Sequence, residues 1–82
     1  MTNPLDRIIV EDGNPPRIVE HAGVIVYSTR KTLDYLEISR QTLWRIRSRG
    51  GIHGFQIVGF YENEVYYPED EVKRLKRERT RF

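Results

Sequence analysis

The stretch ISRQTLWRIRSRGG, residues 38–51, decides how the rest of the chain is read. It holds four arginines and no acid, yet Leu43 and Ile46 stand three positions apart inside it. Ser39 suits a helix cap, because its hydroxyl can accept an orphan backbone N–H of a first turn. Gly50-Gly51 supplies the stop, since glycine readily takes the left-handed conformation that ends helices. A helix from Arg40 to about Arg49 follows. On it Leu43 and Ile46 share a side and point at a core, while Arg40, Gln41, Trp44, Arg45 and Ser48 project elsewhere.

Working outward, Ser28 or Thr29 can cap an earlier helix in which Leu33 and Leu36 fall on one face, with Tyr35 beside them. Only Glu37-Ile38-Ser39 separates the two helices, which is a helix-turn-helix pattern. Before them, residues 1–27 read as extended. Ile8-Ile9-Val10, Ile18-Val19 and Val24-Ile25-Val26-Tyr27 are β-branched runs, broken by Glu11-Asp12-Gly13-Asn14-Pro15-Pro16 and by Ala22-Gly23. After the helices, Phe55-Gln56-Ile57-Val58 and Val65-Tyr66-Tyr67 flank a polar turn, predicting a hairpin. Pro68 suits a first helical turn, and Glu69, Asp70 and Glu71 place negative charge at the positive end of a last helix. The expected fold is therefore α+β: a small winged helix-turn-helix over 28–79, an N-terminal β extension over 1–27, and a flexible tail at 80–82.

Charge is segmented. The total is +2. Residues 1–27 carry two bases against four acids, 28–49 six against two, 50–72 none against five, and 73–82 six against one. Two cationic blocks on helices of so short a chain point to a polyanionic partner. Eighty-two residues make one domain. The chain has no cysteine, so disulfides and thiolate metal sites are excluded. No apolar run reaches transmembrane length, and Met1-Thr2-Asn3-Pro4 does not begin a signal peptide. A cytoplasmic setting away from the membrane is the expectation.

The opening helix combines what DNA reading needs: cations that replace counterions at phosphates, and forked donors that match base edges. Arginine matches guanine and glutamine matches adenine, and Arg40 and Gln41 stand near the helix start, where a side chain reaches the groove floor. Ser39, Thr42 and Arg49 complete the candidate surface, with Lys73 and Arg77 of the last helix tracking the backbone. Thr42 can cap, pack its methyl or donate to phosphate. Trp44 can stack on sugar or phosphate, but a lone tryptophan in a small domain more often packs into the core. The tyrosine-rich segment, Tyr61, Tyr66 and Tyr67 with Phe60, is expected to pack between hairpin and helices. His21 and His53 are isolated and have no partners at ligand spacing, so neither catalysis nor a cofactor is expected.

From Tyr27 to Leu75 the chain resembles the excisionase-like branch of the MerR superfamily of winged helix-turn-helix domains. The resemblance rests on SRQTLWR (39–45), preceded by TLDYLEI and followed by GFQIVG and VYYPEDEVKRL. It implies sequence-specific binding of double-stranded DNA by an architectural factor or small transcriptional regulator, of the kind phages and mobile elements encode. A recombinase, RNA polymerase or a second copy would be further partners, and Arg45 would hold the DNA backbone. Two positions depart from the pattern. Glu37 stands where the family has glycine; a left-handed glutamate costs roughly 1–2 kcal/mol, so a different turn is expected. The hairpin tip carries Glu62 and Glu64, which repel phosphate where the family is commonly basic. An adaptor that uses this acidic, aromatic hairpin to bind protein is the alternative.

Overall fold

A computed structural model of the chain describes residues 7–79. The strands are β1 (Arg7–Glu11), β2 (Ile18–His21), β3 (Val24–Ser28) and β4 (Tyr66–Pro68). The helices are α1 (Thr29–Leu36), α2 (Arg40–Ser48) and α3 (Glu69–Arg79). The result is a small α+β domain with one antiparallel sheet in the order β1-β2-β3-β4. The tail expected at 80–82 lies outside the described residues. Among the described residues no helix is long and apolar enough to cross a membrane.

The strands of residues 7–28 are not an appendage. They form three of the four strands, and β3 pairs directly with β4 (Val26 opposite Pro68, Tyr27 opposite Tyr67). Ala22 and Gly23 close the β2–β3 hairpin with positive φ at both positions, 51° and 82°, a two-residue turn that matches strand twist. Alternation along β3 and β4 then serves two cores. On one face Tyr27 and Tyr67 pack with Leu36, Leu43, Ile52, Val72 and Leu75. On the other, Val26 and Tyr66 pack with Val19 and Ile57, against which Phe60 rests.

The expected hairpin is corrected by this second core. Phe55 makes only one bridge, its N–H and C=O exchanging bonds of 2.9 and 2.8 Å with Tyr66. Gln56, Ile57 and Val58 form no strand. The 55–60 segment instead lies over the sheet, burying Ile57 and leaving Val58 exposed. Tyr66 accordingly packs away from the helices, its hydroxyl donating to the Pro16 carbonyl at 3.0 Å. Of the tyrosine-rich segment only Tyr67 sits between the 55–65 segment and the helices. Gly54 is needed where the chain passes Tyr67, because a Cβ there would lie 2.5 Å from Val65 Cγ1 and 2.8 Å from Tyr67 Cε1. Pro68 ends β4 rather than opening α3.

Burial holds these phenols protonated. Burial, and then nearby Glu64, pushes Tyr66 up to about 12. Burial also raises Tyr67 and, together with the bond its hydroxyl donates to Glu69, raises Tyr27. An unfolded tyrosine titrates near 10, so the folded state binds more protons above that pH. Stability is therefore intact below about pH 10 and falls as pH climbs through the folded values. Melts between pH 8 and 12 should show a midpoint that is flat, then drops. The Tyr66→Phe variant should drop less steeply.

Candidate nucleic-acid interface

Local chemistry places α2. The Ser28 hydroxyl accepts from Lys31 N at 3.1 Å and so starts α1. Thr32 is fully buried, its hydroxyl donating to the Ser28 carbonyl at 2.8 Å. α1 ends at Glu37, which is left-handed at φ 55° and ψ 49°. The expectation of a different turn is corrected: the left-handed geometry that glycine would take is kept, and the strain is present. It is held by two donors: the N–H groups of Glu37 and Ile38 both reach the Leu33 carbonyl. Lys76 of α3 fastens the same corner, donating to the Tyr35 carbonyl at 2.7 Å and lying 3.7 Å from the Glu37 carboxylate.

α2 then begins at Ser39, whose hydroxyl accepts from Thr42 N at 3.1 Å and shares a 3.0 Å bond with the Thr42 hydroxyl. The helix stops as the two glycines require. Gly50 is left-handed at φ 76°, its N–H donates to Arg47 O at 2.9 Å, and Gly51 N–H reaches back to Ile46 O at 2.8 Å. These two bonds are the Schellman pattern.

Between those caps the helix is divided by face. Leu43 is buried, and Ile46 and Thr42 are half-buried beside it. Gln41, Trp44, Arg45 and Ser48 share the opposite, exposed side, flanked by Arg40 and Arg47 on one edge and Arg49 on the other. Trp44 is 64% exposed. The core is filled without it, by Leu43 and by Tyr67 and Ile52 from outside the helix, so the packing expectation for this side chain is corrected. Among the described residues no ion pair holds Arg40, Arg45, Arg47 or Arg49. Arg47 lies over the Tyr67 ring, 5.7 Å from its centre. The hydrophobic side fixes the helix; the cationic side is left to solvent.

The α3 cations are in a different state. Lys73 lies 3.6 Å from Glu69 and Arg74 3.9 Å from Glu78, and Lys76 is committed to α1. Lys73 and Arg77 stand one turn apart on the exposed side. Exposed pairs of this kind are worth about 0–1 kcal/mol and exchange readily. The acids of the 61–65 turn are tied locally: Glu62 accepts from Gly59 N at 3.0 Å and Glu64 from Val65 N at 3.2 Å. Beside them Tyr61 is exposed, and with Pro15, Glu62, Asn63 and Glu64 it borders a shallow hollow of about 270 Å³.

Arg47 was not among the site residues read from the sequence, and the 61–65 turn was read there only as a protein-binding surface. Arg47 stands on the Leu43 edge of the helix, and only the folded position of Tyr67 shows that its guanidinium lies over that ring while the residue stays exposed. The histidines form no cluster. His53 Nδ1 lies 3.0 Å from Glu71, which also accepts its backbone N–H at 2.9 Å. Among the described residues no three His, Cys, Asp or Glu side chains group as a metal site. Comparison with protein-family models, curated proteins and solved structures finds no match for this chain.

Proposed function

We propose that α1, the 37–39 turn and α2 act as a helix-turn-helix, with 55–67 as its wing, and that the protein binds double-stranded DNA with sequence preference. By resemblance it serves as an excisionase-like architectural factor or a small transcriptional regulator. One observation carries this reading. Three arginines and a tryptophan stand exposed on α2, with Arg49 at its C-cap and no acid among them, and the helix is anchored from behind by Leu43. Exposed guanidinium groups supply counterion release, and Arg40 and Gln41 near the helix start supply base reading.

Selection from a pool of random duplexes by gel shift tests it, since it reports binding and preferred site together. Two variants then divide the helix by role. Gln41, at the second helical position, is placed to pair with adenine, and Arg45, a turn further on, to hold phosphate. Gln41→Ala should cost about 1–3 kcal/mol on the selected duplex and little on a scrambled one. Arg45→Ala should weaken both about equally and flatten the salt dependence by about one unit. Equal losses on the two duplexes for Gln41→Ala would remove its base-reading role.

A second reading is favoured by the exposed Tyr61 beside Glu62 and Glu64: an adaptor that docks an apolar or aromatic side chain of a protein partner at that hollow. DNA binding through arginines weakens steeply with salt, whereas an aromatic protein contact changes little.

A further inference from the structure

Between α2 and the 61–65 turn lies an open cleft of about 230 Å³. Its α2 wall carries Arg40, Trp44 and Arg47, which at spacings of four and three residues line one side of the helix. Asn63 and Glu64 form the facing wall, and Tyr67 lies at the base. Glu64 is half-buried, and one carboxylate oxygen is occupied by Val65 N. Among the described residues no ion pair joins Glu64 to Arg40 or Arg47. A cation and an acid thus face one space without neutralising each other.

A site made only for phosphate would not hold a carboxylate at its wall. A base pair presents both signs. In the major groove a G·C pair offers two acceptors, N7 and O6, on guanine and one amine donor, N4, on cytosine. A guanidinium fork matches the first and a carboxylate the second. An A·T pair in the same orientation puts the O4 acceptor of thymine where cytosine has its amine, so the carboxylate would face an acceptor. Discrimination then comes from repulsion of the wrong pair as much as from attraction of the right one.

We propose that this cleft reads one G·C base pair, Arg40 on the guanine edge and Glu64 on the cytosine amine, with Trp44 as the wall that orients them. Arg47 holds the neighbouring phosphate. The proposal rests on the DNA-binding reading above and names a specificity determinant within it.

The test uses the full chain and the duplex selected from the random pool, with every position exchanged in turn between G·C and A·T. Wild-type protein should lose about tenfold in affinity at one G·C position. Arg40→Ala and Glu64→Gln, each first shown by its melt to be folded, should both shrink that ratio to about two- to threefold at the same position. Three results overturn the proposal while DNA binding stands: an unchanged ratio in Glu64→Gln, a uniform gain on all duplexes from loss of repulsion alone, or relaxation at different positions in the two variants. Failure of the wild type to bind any duplex at low salt overturns the DNA reading itself, and this proposal with it.

Discussion

Leu43→Ala should lower the stability of the domain by roughly 2–4 kcal/mol, the usual loss for truncating a buried leucine. Leu43 is 3% exposed and is the one buried side chain of α2, so its removal takes away the main apolar attachment of that helix. Its neighbour provides the control. Trp44→Ala removes a larger side chain, but from solvent, and should leave the melting temperature nearly unchanged. Arg40→Ala should do the same while weakening DNA binding. Urea melts of the three variants check the face assignment. If Trp44→Ala unfolds the domain and Leu43→Ala does not, the helix has been read from the wrong side.

The second large effect is on salt. With Arg40 at a base edge, Arg45, Arg47 and Arg49 remain on α2 for phosphates, and Lys73 and Arg77 add two from α3. About five neutralised phosphates give a slope of log affinity against log salt of roughly −4 to −5. Raising salt from about 50 to about 200 mM should then cost roughly 300- to 1,000-fold in affinity. A slope near −3 would confine the footprint to α2 and leave α3 off the DNA. A slope near −1 would defeat the two-block footprint altogether and favour the protein-binding alternative. Fluorescence of the exposed Trp44 offers a direct readout for the titration.

What could be read along the chain was what local chemistry determines. Ser28, Ser39 and Gly50-Gly51 act within a few residues of themselves, so the bounds of α1 and α2 follow from them, as does the side on which Leu43 lies. Glu37 is instructive because its strain was legible but not its resolution. Two backbone bonds to Leu33 and the approach of Lys76 from 39 residues away hold the left-handed turn, and the second of these depends on α3. The sheet was illegible for the same reason. Pairing of β3 with β4 joins residues some 40 positions apart, and nothing at Tyr27 names Tyr67 as its partner. Phe55 to Val58 has the composition of a strand, yet Ile57 is buried against Val19 and Val26, apolar partners far from it in the chain. Trp44 was misjudged because composition describes an average tryptophan, whereas Tyr67 and Ile52 had already filled the space behind α2.

The layered sheet also bears on portability. A fragment cut at residue 28 would keep all three helices and the arginine face, and would resemble a self-sufficient cassette for fusion to another protein. It would lack β1, β2 and nearly all of β3, leaving β4 without a neighbour and Ile57 and Tyr66 without the Val19–Val26 surface they rest on. Three residues of strand cannot hold a sheet alone. The arginine face depends on strands that lie before it in the chain, so it can be transplanted only together with them.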